Sequence, residues 1–268
     1  MSIIYEPRGK AREYSPLSAN LYSGCNHNCK YCYVPNIFGK SYDQSNIYPR
    51  REILRELEKD CKKFSSTEKQ VLLSFTTDPY NSLEKDLRIT RDALKLFLKY
   101  QIPVSILTKS NSCLQDIDVF KKFPKDSLKV GMTLTFDNDK DSLDWESGAS
   151  LPNERLDCLK TLKENNITTW ASFEPVIIPS QSLVMIKKSL PFVDHYKVGK
   201  INNYQGLDKT IDWTNFLSNV VSILREAQKP FYIKKDLRES ASAIKLYGNE
   251  VLADEFCSIA FKNDLLFA

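Results

Sequence analysis

The chain has 268 residues, 42% hydrophobic and 27% charged, the balance of an ordinary globular chain long enough to bury a core without disulfide staples. Its net charge of +4, spread without a Lys- or Arg-rich block, is compatible with a polyanionic partner and does not demand one. No uncharged stretch approaches a bilayer span and the opening MSIIYEPRGK lacks an apolar h-region, so neither a membrane helix nor a secretory signal is expected, and the chain is expected to be cytoplasmic.

In chain order, residues 19–22 read as a first strand and 49–64 as a helix whose Ile53, Leu54, Leu57, Cys61 and Phe64 share a stripe. Residues 71–76 (VLLSFT) have the short apolar run of a buried strand, and 88–100 form a helix with Ala93, Leu94, Phe97 and Leu98 on one face. Residues 104–108 are the next strand, 114–123 the next helix, and 129–136 (KVGMTLTF) a further strand. A helix over 153–165 carries Leu156, Leu159 and Leu162. Strand 168–173, helix 182–189, strand 195–198 and helix 213–227 continue the alternation, and 231–235 (FYIKK) reads as one more short strand.

Strand followed by helix, about six times over, implies an α/β fold with a parallel sheet. That number suits an open, partial (β/α)6 barrel better than a closed eightfold one. The barrel with its N-terminal segment is expected over residues 1–230, with 231–268 as a C-terminal extension packed on it. Ligands of such sheets bind at the carboxyl ends of the strands, so chemistry is sought just after each strand.

Seven cysteines are present: Cys25, Cys29, Cys32, Cys61, Cys113, Cys158 and Cys257. An odd number without a secretion signal argues for a reducing compartment. Three of them fall in SGCNHNCKYCY, residues 23–33, directly after the first strand. As packing residues at i, i+4 and i+7 they would line one helix face, but Ser23, Gly24, Asn26 and Asn28 favour a loop. As a zinc site they lack a second ligand pair, and His27 lies inside the same tight loop. As ligands of a [4Fe–4S] cluster they leave one of four irons open to a small molecule.

The pattern C-x3-C-x-aromatic-C, carried by Cys25, Cys29, Tyr31 and Cys32, resembles the radical S-adenosylmethionine (SAM) superfamily. The resemblance implies that Cys25, Cys29 and Cys32 hold the cluster and that its open iron chelates the amino and carboxylate groups of SAM. It further implies reductive cleavage of SAM to a 5′-deoxyadenosyl radical that abstracts hydrogen from a substrate. Several segments are similar to the spore photoproduct lyase-like, DNA repair photolyase-related branch: KAREYSPLSANLYSGCNHNCKYC (10–32), SFTTDPY (74–80), LTKS (107–110) and WESGASLPNERL (145–156). At the position of that lyase's relay cysteine, three residues before the motif aspartate, this chain has Phe75, a departure that bears on thymine-dimer repair and not on SAM chemistry.

The resemblance suggests SAM contacts. Tyr31 would position adenine, mostly through its backbone. Thr77 and Asp78 follow the second predicted strand, where the SAM ammonium needs acceptors; Asp78-Pro79 is equally a turn initiator. Lys109 ends the third strand and suits the SAM carboxylate. Thr133 and Thr135, on one face with Gly131, suit the ribose hydroxyls. Glu146 and Arg155 either bind SAM or pair with each other. Catalytic candidates are Tyr33 beside the cluster, Cys113 and Cys257 as either substitute hydrogen donors or structural cysteines, and Glu174 with Lys200 and Lys234, which form either a substrate floor or an internal salt bridge. Cys61 and Cys158 sit on apolar helix faces and are expected to be structural.

No second cysteine group exists, so an outside one-electron reductant of the flavodoxin or ferredoxin kind is expected. The expected substrate is a nucleic acid or nucleotide, for repair or modification. The alternatives are a small molecule or peptide within the enzyme class, and a non-catalytic zinc-binding, nucleic-acid-interacting module.

Overall fold

The structure is a computed structural model that describes residues 2–39, 42–202 and 204–253. Among the described residues there are ten strands: β1 Ile4–Tyr5, β2 Leu17–Ala19, β3 Tyr22–Ser23, β4 Tyr48–Pro49, β5 Val71–Leu73, β6 Val104–Thr108, β7 Leu128–Thr133, β8 Thr168–Phe173, β9 His195–Val198 and β10 Phe231–Ile233. Eight of them form one sheet in the order β1-β2-β5-β6-β7-β8-β9-β10, and β3 pairs with β4 in a separate ribbon. Only β1 runs antiparallel to its neighbour in the large sheet. The sheet is open, with β1 and β10 as its edges.

The parallel connections are helical, as the alternation predicts. The helix Ile53–Lys63 leads into β5, with Ile53, Leu57 and Cys61 buried at helical spacing and Lys62 and Lys63 at its negative end. Ile89–Lys99 leads into β6, Pro152–Glu164 into β8, Pro179–Ser189 into β9 and Trp213–Glu226 into β10. Pro152 opens its helix where a missing N–H costs nothing, and the Glu154 carboxylate accepts from Leu151 N at 2.7 Å. Asp212 caps the last of these helices by accepting from Asn215 N at 2.9 Å. Strands β5 and β7 are buried along their whole length, as expected where both faces of a parallel sheet are covered.

Three boundaries differ from the sequence pattern. The first predicted strand divides at Asn20, whose Oδ1 accepts from Phe75 N and Thr76 N, each at 2.9 Å. The segment before it joins the large sheet, and Tyr22–Ser23 joins β4. The first helix consequently starts at Ile53, because Tyr48–Pro49 is spent in that ribbon. Residues 111–120 form a 3-10 turn, Asn111–Asp116, and a single helical turn, Ile117–Phe120. The Ser110 side chain accepting from Ser112 N sets this tighter start.

β10 is hydrogen-bonded to β9 in parallel register, so the residues beginning at 231 extend the sheet. Its neighbourhood is tied back to the N-terminus. Glu13, at the end of the 3-10 helix Gly9–Glu13, accepts from Tyr232 OH at 2.6 Å and from Lys235 N at 2.8 Å. Lys10 pairs with Asp236. The chain just before β2 therefore reaches β10 at the far side of the open sheet.

Candidate active site

The three clustered cysteines lie on the irregular segment between β3 and the short helix Val34–Phe38. Backbone bonds hold this loop from several directions. Cys25 N donates to Gln44 O at 2.8 Å, Lys30 N to Trp145 O at 2.9 Å, and Gly148 N to His27 O at 3.1 Å. Cys29 and Glu146 form an antiparallel bridge. Two glycines make the approach possible. Gly24 has φ +78° and any Cβ on it would overlap Asn46 O, while a Cβ on Gly148 would overlap Asn26 O.

Cys25, Cys29 and Cys32 are free thiols and half-buried, whereas Cys61, Cys113 and Cys158 are free and fully buried. Gln44 Nε2 donates to Cys32 Sγ at 3.3 Å. Among the described residues no three His, Cys, Asp or Glu side chains converge tightly enough for a single metal ion. His27 turns inward instead, with 2% of its surface exposed and Nδ1 3.4 Å from Asp78 Oδ2. Burial lowers its pKa to about 4 against the pull of Asp78. Three accessible thiols on one loop form a donor set that fits a cubane with one open iron. Burial pushes the Cys25 and Cys29 thiols up to about 12, a preference that ligation to a cationic centre reverses.

The strand ends around the loop carry the remaining candidates. Thr77 donates to Gly24 O at 2.5 Å. Asp78 Oδ1 accepts from Thr108 Oγ1 at 2.7 Å and Tyr80 N at 2.8 Å, and Oδ2 accepts from Lys109 N at 2.9 Å. Both residues are buried and brace the cysteine loop against the end of β6. Lys109 lies with Nζ 5.6 Å from the centre of the Tyr31 ring. Tyr31 donates to Glu146 and stacks on Trp145 at 6.5 Å.

Glu146 and Arg155 pair with each other at 2.5 Å, 0% and 2% exposed. Thr135 Oγ1 also donates to Glu146, at 3.1 Å. Arg155 donates further to Thr133 O at 2.9 Å and Ser150 O at 2.7 Å. Burial raises the Glu146 carboxyl while Arg155 pulls it down. Tyr31, Thr133, Thr135, Glu146 and Arg155, which the sequence separates, thus form one network beneath the loop.

A second cluster lies along β8 and β10. Glu174 accepts from Lys234 Nζ at 2.8 Å on both oxygens and from Tyr14 OH. Tyr14 OH is also 3.1 Å from Ser172 Oγ. Lys200 does not join it: its Nζ donates to Ser240 Oγ at 2.9 Å and lies 3.8 Å from Asp208. Lys197 lies inside instead, with Nζ 4.1 Å from the Tyr14 ring centre and donating to Glu13 O. Ser172 shares a strand face with Glu174, as the alternation of β8 predicts, whereas Tyr14 and Lys197 are polar residues of this interior that the sequence pattern does not single out. Tyr33 is 49% exposed and donates to Phe75 O at 2.9 Å. Cys113 is buried with Sγ 3.4 Å from Cys158 Sγ. Cys257 lies outside the described residues.

An open parallel α/β sheet with a three-cysteine loop at its strand ends defines a class of cluster-bearing enzymes that the comparisons identify. Residues 19–193 match the Radical SAM superfamily, and the chain belongs to that superfamily. It is an enzyme, and its cofactors are a [4Fe–4S] cluster and SAM, which sets aside the zinc-binding module.

The chain is 35% identical over 179 residues to the uncharacterized protein MJ0683 of Methanocaldococcus jannaschii, covering 66% of this chain and 67% of that one. Its fold is like that of Streptococcus suis SuiB bound to S-adenosylmethionine, with TM-score 0.62, 12% identity and coverage of 86% of this chain. It is also like spore photoproduct lyase complexed with a dinucleoside spore photoproduct, with TM-score 0.62, 11% identity and coverage of 85% and 78% of the two chains. The chain spans about half the length of SuiB, 53%. No described helix is long and apolar enough to cross a membrane.

Proposed function

We propose that this chain is a cytoplasmic radical SAM enzyme that modifies or repairs a nucleic acid or nucleotide. The observation that carries the radical SAM assignment is the trio of free, half-buried thiols held at the strand ends beside Lys109. Cys25, Cys29 and Cys32 hold the cluster. When bound, the cluster and SAM supply one-electron cleavage of SAM and abstraction of a hydrogen atom from the substrate.

The chain's own residues fix the geometry and keep water out. Lys109 offers a cation to the SAM carboxylate. Tyr31, locked by Glu146, helps to position adenine, and Thr133 and Thr135 stand behind it in the buried Glu146–Arg155 network on the ribose side. Thr77 and Asp78 act through the backbone they hold, placing Gly24 and Lys109. Glu174 with Lys234 and Tyr14 forms the floor below the substrate, Lys200 lies at its margin, and Tyr33 stands at the rim. Cys113, fully buried with its Sγ 3.4 Å from Cys158 Sγ, fits the structural alternative and not the hydrogen donor. The electron comes from an outside flavodoxin- or ferredoxin-like reductant.

The nucleic-acid reading draws on the net charge of +4, the branch motifs, and the likeness to a lyase that binds a dinucleoside. SuiB, which binds the precursor peptide SuiA, supports the peptide alternative by the same kind of likeness. The proposal does not extend to thymine-dimer repair, because Phe75 packs edge-on against Tyr14 at 5.8 Å where that lyase has its relay cysteine. The test is 5′-deoxyadenosine release by anaerobically reconstituted protein. Wild type releases it from SAM under reduction and Cys29→Ala does not; continued release by the variant refutes the cluster assignment. Stimulation by peptides and not by oligonucleotides refutes the substrate class.

A further inference from the structure

Beside the cysteine loop, and outside the network that surrounds Glu146, lies an open surface depression of about 630 Å³, a volume within the range of small-ligand sites. Its walls include Phe38, Tyr42 and Tyr48 together with Arg50 and Arg51. Phe38 and Tyr48 are 47% and 49% exposed, although aromatic rings usually gain by burial. The Phe38 and Tyr42 rings lie 4.8 Å apart at 32°, and Phe38 and Tyr48 offer exposed ring surface to a planar group.

The charge of this cavity is decided by ion pairing. Two carboxylates, Glu52 and Glu56, also reach it. Glu52 is paired with Arg55 at 2.8 Å and Glu56 with Lys59 at 2.5 Å. Arg50 is positioned by its Nε donating to Tyr22 O at 3.3 Å, and its terminal nitrogens have no hydrogen-bond partner among the described residues. Arg51 has no carboxylate partner among the described residues. The cavity therefore presents aromatic rings next to two arginines that make no ion pair among the described residues, while its two carboxylates are engaged by Arg55 and Lys59. Planar stacking surfaces beside a guanidinium fork match a base and its phosphate.

We propose that this cavity is a binding site for a nucleoside phosphate, with the base against Phe38, Tyr42 and Tyr48 and the phosphate on Arg50 and Arg51. The same chemistry is offered by a free nucleotide and by one unit of a single strand. The site is separate from the SAM site yet touches its support: Tyr42 OH accepts from Gly24 N at 3.1 Å, and Tyr48 pairs with Ser23 in the β3–β4 ribbon. The inference stands whether or not nucleic acid is the substrate of the radical reaction.

Calorimetric titration of the cluster-loaded protein tests it, with SAM in excess so that the adenosine-binding site is filled. The probes are ADP, adenosine and a short thymidine oligonucleotide. ADP or the oligonucleotide is expected to bind saturably, adenosine at least tenfold more weakly, and Arg51→Glu and Tyr48→Ala each to weaken binding at least tenfold. ADP binding assigns the site to a free nucleotide; oligonucleotide binding without ADP binding assigns it to a strand. Both side chains are surface-exposed, and unchanged thermal midpoints confirm folded variants. Absence of saturable binding by either phosphate-bearing probe, or binding that neither substitution alters, overturns the proposal. Because the readout is binding, a failure here leaves the 5′-deoxyadenosine test untouched.

Discussion

Cys29 and Glu146 face each other across an antiparallel bridge, so the backbone bearing a proposed cluster ligand is stitched to the backbone bearing a fully buried carboxylate. Two further bonds connect the same strand-end segments, Gly148 N to His27 O at 3.1 Å and Ser150 N to Lys109 O at 3.0 Å. The segment after β7 thus holds both the cysteine loop and the lysine that ends β6. Cofactor ligands and their supporting polar network cannot be placed independently.

Gly148→Ala is expected to empty the cluster site without unfolding the sheet. The added Cβ meets Asn26 O and Asn26 C, which are backbone atoms and cannot rotate away. Relief requires moving the loop that carries Cys25 and Cys29. Iron and sulfide per chain after anaerobic reconstitution should fall to less than half of wild type, while far-ultraviolet circular dichroism is retained. Wild-type iron content in the variant would show that the close approach does not govern the loop.

Removing the Arg155 guanidinium should be costly, because it leaves Glu146 buried at 0% exposure without its cation. Arg155→Met is expected to lose about 3–5 kcal/mol in urea unfolding, the usual cost of breaking a buried pair from one side. Adding Glu146→Gln removes the stranded charge and keeps an acceptor for Tyr31 and Thr135, so the double variant should regain at least half of the loss. Binding of SAM to the reconstituted double variant then separates the roles. Retained affinity means the pair is purely structural; lost affinity in a stable protein means the pair also orients the cofactor.

His195 supplies a pH dependence. Burial lowers its pKa to about 4, with Lys129 and Lys163 acting in the same direction and Asp194 and Asp126 opposing. Between the ordinary value of 6.5 and about 4, the unfolded chain binds a proton that the folded chain does not. Stability from this group is therefore complete above that window, declines as pH falls through it, and declines no further below. His195→Gln should flatten this slope. Urea midpoints at about pH 7 and about pH 4.5 check it: wild type should lose more stability between them than the variant, and equal losses would refute the assignment.

Much of the fold is legible in the sequence where the signal is local. Val104–Thr108, Thr168–Phe173 and His195–Val198 match the strands read from apolar runs, and the cysteine spacing points to the loop at once. What stays hidden depends on distant partners. Tyr14 lies just beyond a polar, aperiodic turn, and its bond to Glu174 spans 160 residues of sequence. The tie of Tyr232 to Glu13 spans 219. No periodicity announces such contacts, and Asn20 splits the first strand for the same reason, by satisfying backbone N–H groups 55 and 56 residues away.

The two lysines that the sequence groups with Glu174 should separate on substitution. Lys234 is 4% exposed and contacts both oxygens of a carboxylate that is itself 17% exposed. Lys234→Met strands that carboxylate beside Tyr14 OH, and its cost should approach the ~3–5 kcal/mol of a broken buried pair. Lys200 meets a serine hydroxyl and, at 3.8 Å, Asp208, so Lys200→Met should stay within ~1 kcal/mol of wild type. Thermal unfolding of the two variants side by side decides the matter. If both lower the midpoint equally, Lys200 shares the burden of Glu174 and the floor is a three-residue cluster; if only Lys234→Met does, Glu174 depends on the lysine that follows β10, and the end of the last strand is part of the site.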